Sequence, residues 1–137
     1  MGAMTTSVES VDMSERRFSD LTSVLRSFVA ETGGDGLVNV FVPHATAGLA
    51  LMETGSGSEG DLDEVLGRLL PRDDRWGHSH GSRGHGADHV LPAFLAPSLT
   101  IPVVDGEPAF GTWQSVVLVD LNHDNPRRKV RFSFVSA

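Results

Sequence analysis

The chain has no cysteine, so neither a disulfide nor a thiolate metal ligand is available to it. Any ion it holds must be met by imidazole, carboxylate or water, a donor set that suits zinc, nickel, iron or manganese better than copper(I). No apolar run approaches the length needed to cross a bilayer. The start, MGAMTTSVES, lacks the basic segment and apolar stretch of a secretory signal. The expectation is therefore a cytoplasmic protein with no membrane partner. Positive charge is scarce: 11 Lys and Arg stand against 18 Asp and Glu, for a formal net charge of −7. That balance argues against a nucleic-acid partner, because phosphate backbones are bound by neutralising basic side chains. The one dense basic cluster, Arg127, Arg128, Lys129 and Arg131, alternates with Val130 and Phe132 and reads as the polar face of a strand. Internal repeats, low-complexity tails and compact metal motifs such as HExxH are also missing.

At 137 residues the chain suits a single domain, with residues 1–4 read as a cloning remnant or disordered start. Thr5 to Val11 suit an opening strand. Phe18, Leu21, Val24, Leu25, Phe28 and Val29 recur at helical spacing, with Ser14 as N-cap and Gly33-Gly34 as the stop. Leu37 to Val42 reads as a short buried strand, and Ala47 to Met52 as the next. A second helix runs from Asp61 to Leu70, where Pro71 ends it. Arg72 to Asp88 is polar, rich in Gly and His, and aperiodic. Loops of that length in small domains are usually functional or disordered. A short helix over His89 to Leu95 follows, then strands over Leu99 to Val104, Ala109 to Leu121 and Val130 to Val135. The order predicts an α+β fold with mostly antiparallel sheets and two to three helices.

Six histidines are the chain's chemical signature. His78, His80, His85 and His89 share one short stretch, and imidazole is the commonest metal ligand. Taken singly, each is most simply a solvated loop side chain. His44 follows a strand read as buried, where a polar ring is costly unless paired or ligated. Glu53 lies at the end of the next strand, and Asp61 opens a helix whose dipole favours a carboxylate there. Three imidazoles with nearby carboxylates is the composition of a catalytic metal site with an open position for water.

The stretch Ser98 to Gln114 reads SLTIPVVDGEPAFGTWQ. It resembles the signature of the YjbQ-like family, with Ser98, Ile101, Val103, Gly106 and Gly111-Thr112-Trp113-Gln114 all in register. His44-Ala45-Thr46-Ala47 resembles that family's HTSA-like motif, with Glu53 as the following acidic residue and Asp61 as the aspartate opening the second helix. Trp76-Gly77-His78 matches an aromatic-x-His motif, Asp88-His89 an Ala-His pair, Asp120 a carboxylate after GTWQ, and Pro126-Arg127 a Pro-Arg ending. The likeness spans roughly Ser14 to Val135. It departs at Met52, where the family carries Asn, and at Thr54 to Gly57, which replaces Asn-x-Asp-Pro. His80 and His85 match no landmark of the family.

What the resemblance implies is a small α+β homotrimer with pockets between subunits and a divalent metal, zinc foremost, on His44, His78 and His89. Glu53 or Asp61 is then the general base or the group orienting an imidazole, and Gln114 joins them at the reacting centre. Thr46, Thr112 and Arg127 meet a small, phosphorylated ligand. The family carries the label secondary thiamine-phosphate synthase, and that reaction is what the resemblance implies for this chain. The alternative is a non-catalytic metal- or metabolite-binding trimeric module. Gly106 and Trp113 are most simply a turn and a core or interface residue.

Overall fold

The computed structural model describes residues 3–137. It is an α+β fold of eight strands and three α-helices: β1 (Met4–Asp12), β2 (Phe18–Asp20), α1 (Thr22–Thr32), β3 (Gly36–Phe41), β4 (Gly48–Met52), α2 (Ser58–Leu69), α3 (His85–Val90), β5 (Ser98–Val104), β6 (Glu107–Pro108), β7 (Ser115–Val119) and β8 (Arg127–Ser136), with a 3-10 turn at Leu91–Ala93 between α3 and β5. All pairings are antiparallel. One sheet has the order β1-β8-β3-β5-β6, the other β2-β7-β4.

β7 explains the layering. Its residues Val116, Val117, Leu118 and Val119 are all at most 1% exposed, so both faces of this strand are covered, as an unbroken apolar run requires. Val116 and Leu118 join the larger core, with Leu25, Phe28 and Val29 of α1 and Val38, Val40, Ile101, Val130, Phe132 and Phe134 of the five-stranded sheet. Val117 and Val119 face the opposite way, against Leu66, Leu70, Ala87 and Leu91. The three-stranded sheet is thus the middle layer, and α3 and the 3-10 turn after it are fastened to its outer face through Ala87 and Leu91.

Several sequence expectations need correction. Met4 belongs to β1 and pairs with Val135, so it is part of the fold; residues 1 and 2 lie outside the described residues. The first helix begins at Thr22, and Phe18 sits in β2 opposite Val119. Ser14 caps nothing there, its amide being bound by Asp12 Oδ1 at 2.9 Å. The helix start is marked instead by Asp20, whose Oδ1 accepts the Thr22 amide at 2.9 Å, the local side-chain bond that aspartate makes at turns and helix entries. β3 is alternately buried: Val38 and Val40 point inward, while Leu37 and Phe41 are exposed. Ala109 to Gln114 form a loop, and β7 begins only at Ser115. In β8, Arg128 shares the parity of Val130, Phe132 and Phe134, and it is buried with them, not on the polar face. Among the described residues no helix is long and apolar enough to cross a membrane.

Candidate metal centre

His85 and His89 lie four residues apart on α3, a spacing that puts two rings on one helix face. Their Nε2 atoms are 2.9 Å apart. His78 and His80 reach the same point from the preceding loop. The rings of His78 and His89 stack at 3.9 Å between centroids, and those of His78 and His80 lie 4.1 Å apart. One ring nitrogen from each of the four lies within 4.8 Å of the others. A cavity of about 290 Å³ opens beside them, lined in part by Asp73, Asp74, Trp76, Ser79, Ser82 and Arg83.

The loop's glycines allow this crowding. A Cβ on Gly86 would lie 2.4 Å from both His78 O and Trp76 Cβ, so the segment bearing His78 can pack onto α3 only where that helix has no side chain. Gly81, at φ +82°, plays the same part against His85, whose Cγ would be 2.8 Å from its Cβ. Trp76 anchors the segment at its other end. Its indole N–H donates to Pro71 O at 2.8 Å, and its ring packs on the outer core.

Behind the rings is a polar network. Arg72 forms an ion pair with Asp88, which is only 2% exposed. Asp88 Oδ2 also accepts the Asn122 side-chain amide at 2.9 Å. Asp124 Oδ2 lies 2.9 Å from His85 Nδ1 and accepts the Ser82 N–H and hydroxyl at 3.2 and 3.0 Å. Those Ser82 bonds, the backbone one foremost, hold the Asp124 carboxyl below the usual carboxylate range. Desolvation, then the neighbouring rings His80 and His85, lowers the pKa of His78. His89 is lowered by burial first and by His78, His85 and His80 next. Both effects favour neutral imidazole, the form that ligates a cation.

The donor set fits a late divalent ion. A tetrahedral zinc with bonds of about 2.0–2.1 Å needs nitrogens about 3.4 Å apart, so rings already within 4.8 Å need only side-chain adjustment. All four donors are nitrogen, which suits zinc, cobalt(II), nickel or copper(II) and not magnesium or calcium.

Of the site residues named from the sequence, His78 and His89 come together here. His44 does not join them within the chain; its Nε2 accepts the Lys129 N–H at 2.9 Å. Glu53 is exposed at the end of β4 and accepts the Ser56 hydroxyl at 3.0 Å. Asp61 is exposed in the first turn of α2. The Gln114 Oε1 closes its own loop by accepting the Gly111 N–H at 2.7 Å. Thr46 is buried, and its hydroxyl accepts from Arg128 Nη2 at 2.8 Å. Arg128 also forks onto Asp120, Nε to Oδ2 at 2.6 Å and Nη2 to Oδ1 at 3.0 Å. Thr112 and Arg127 are exposed. Asp73 and Asp74 are the carboxylates lining the cavity, and neither Glu53 nor Asp61 does so. His80 and His85 are the cluster members that sequence reasoning did not select. The four-residue step from His85 to His89 is the signal for one of them, legible once α3 is taken to start at His85.

Comparison with known proteins bears on what such a chain is. The family model described as UPF0047 protein YjbQ-like matches residues 6–137. UPF0047 protein Rv2556c of Mycobacterium tuberculosis is 64% identical over 132 residues, covering 96% of this chain and 98% of that one. UPF0047 protein MJ1081 of Methanocaldococcus jannaschii is 32% identical over 112 residues, covering 80% and 78%. The crystal structure of hypothetical protein APE1520 from Aeropyrum pernix matches with a TM-score of 0.85 at 29% identity, covering 97% of this chain and 99% of that one. A YbjQ-like protein of unknown function from Sulfolobus solfataricus has the same fold, with a TM-score of 0.86 at 22% identity over 98% of this chain and 100% of that one.

Proposed function

Because the chain belongs to the YjbQ-like UPF0047 family, we propose that it is a metal-dependent enzyme acting on a small phosphorylated molecule, as a cytoplasmic homotrimer. The observation that carries this reading is the convergence of His78, His80, His85 and His89 beside a cavity large enough for part of a small ligand. Closely spaced imidazoles repel one another when protonated, which favours the neutral rings whose lone pairs a cation can take. The bound ion, zinc foremost, would supply Lewis-acid stabilisation of negative charge developing on phosphate oxygens.

The reaction proposed is thiamine-phosphate synthesis. A thiazole-phosphate nitrogen forms a bond to the methylene carbon of a hydroxymethylpyrimidine diphosphate, the carbon–oxygen bond breaks, and pyrophosphate leaves with the electron pair. In this reading Arg83, on the cavity wall, meets a phosphate. Glu53, Asp61, Thr112, Gln114 and Arg127 lie off that wall, so as base and substrate contacts they would act where a partner subunit brings them to the site, with Thr46 acting through Arg128. The exposed Trp113, at 73%, fits a subunit contact better than a core position.

A second reading, a non-catalytic metal- or metabolite-binding module, is favoured by one observation: no carboxylate stands among the grouped donors. The test separates the two. Purified protein is analysed for metal, then assayed for thiamine-phosphate synthesis after chelation and after zinc reloading, with Glu53→Gln beside it. The enzyme reading expects near-stoichiometric zinc, turnover only in the reloaded form, and a fall of roughly 10²-fold in Glu53→Gln if that carboxylate moves a proton. Stoichiometric zinc with no turnover of the phosphorylated substrates would leave the binding module.

A further inference from the structure

Four rings converge, but one of them is held differently from the rest. His85 contacts the cluster through Nε2 and a carboxylate through Nδ1, the latter on a separate element: Asp124 lies in the turn between β7 and β8, far from α3 along the chain. Resting on the metal reading above, we propose that His85 is a metal ligand through Nε2 and that Asp124 is its positioning residue.

Hydrogen-bond geometry carries the argument. With the His85 proton on Nδ1, that nitrogen donates to Asp124 Oδ2 at 2.9 Å, which leaves the Nε2 lone pair aimed at the cluster. The Asn122 amide nitrogen, 3.0 Å from the same Nδ1, has an acceptor elsewhere in Asp88 Oδ2 at 2.9 Å. It does not need the His85 lone pair. Asn122 Oδ1 in turn accepts the Asp124 N–H at 2.8 Å and fixes the turn. A carboxylate behind an imidazole sets the ring's tautomer and orientation and raises its basicity toward a cation, which is the usual outer partner of a metal-binding histidine.

Steric facts point the same way. Asp124 also binds both Ser82 donors, and a Cβ on Gly81 would come within 3.0 Å of its carboxylate and 2.8 Å of the His85 ring. The His85–Asp124 pair is therefore the fixed post around which the loop carrying His78 and His80 is wrapped. His80 adds a fourth nitrogen from that loop, so the chain offers a complete imidazole set without a partner subunit.

The test is a titration of metal-stripped protein with Zn²⁺, and separately with Co²⁺, on wild type, His85→Ala, His85→Gln, Asp124→Ala, Asp124→Asn, Asp74→Asn, His78→Ala and His89→Ala. Asp74 lines the cavity and serves as the charge control. Asp124→Ala is expected to weaken zinc binding roughly 10- to 100-fold, Asp124→Asn less, and Asp74→Asn less than about twofold by the same comparison. His85→Ala and His85→Gln should weaken it further and alter the visible Co²⁺ spectrum. Asp124→Ala should leave that spectrum's form intact, since the ligands are unchanged. Thermal midpoints of the stripped variants establish that each is folded before it is scored. Wild-type zinc affinity in folded His85→Gln and Asp124→Asn, with binding lost in His78→Ala and His89→Ala, overturns this assignment and leaves the metal reading standing. Failure of the wild-type protein itself to bind Zn²⁺ overturns both.

Discussion

The Nε2 atom of His44 accepts a backbone N–H at 2.9 Å, a bond that only the neutral ring can make through that nitrogen. Burial is the first cause of its lowered pKa, and the Arg128 guanidinium is the second. In the unfolded chain the ring protonates around its ordinary value of 6.5; in the folded protein it does so only at lower pH. The unfolded state therefore takes up the proton first as pH falls, so stability is complete above 6.5 and is lost progressively below it. With chelator present, the thermal midpoint of His44→Gln should fall less steeply on the acid side of that pH than wild type does. An unchanged acid slope would remove His44 from the account. The sequence asks for a partner at His44, since it follows a strand whose alternate residues are buried. The identity of the partner was not legible, because Lys129 is distant in the chain and donates through its backbone, which no side-chain pattern records.

Elements were legible where their apolar rhythm was unambiguous. β8 is the instructive case. Its parity puts Arg128 with Val130, Phe132 and Phe134, yet charge suggested the polar face, and the parity won because Asp120 waits inside. The pair is almost fully buried, at 2% and 0% side-chain exposure. Removing one partner from such a pair strands the other charge, at a cost of about 3–5 kcal/mol. Asp120→Leu should lower the urea-unfolding free energy by an amount in that range, whereas Asp120→Leu combined with Arg128→Met should recover much of it. The start of α3 was missed for a different reason. The segment His85-Gly86-Ala87-Asp88 has two small residues and no apolar stripe, since at Gly86 it is pressed against the His78 backbone and Trp76, where no side chain fits. Where no helix is expected to start at His85, the four-residue step between two histidines carries no weight. The loop's extra rings therefore read as solvated.

At the scale of the molecule, α2 turns an apolar edge outward: Val65 is 51% exposed and Leu69 48%, one turn apart. Leu51 and Phe94 are exposed as well. Apolar side chains grouped on a helix face in this way suit an interaction surface, and the proposed homotrimer would cover it with copies of the same chain. Light scattering should give three times the chain mass of 14.7 kDa. Leu69→Glu, which buries a charge if that face is covered, should shift the protein to single chains at micromolar concentration without altering its circular dichroism. A Leu69→Glu protein of undiminished mass would exonerate α2.

β8 lies between β1 and β3, paired with β1 from Arg127 to Val135 and with β3 from Arg131 to Ser136. It follows the other seven strands in the sequence and is also the keystone of the larger sheet. Until it emerges, β1 has no hydrogen-bonded neighbour and β3 shows a bare edge to whatever is nearby. All seven other strands are therefore made before the larger core can close, and the nascent chain spends that interval with its inner strands open to mispairing. A chaperone that holds extended segments, or rapid completion of translation, would matter more to this protein than to one whose central strand is made early.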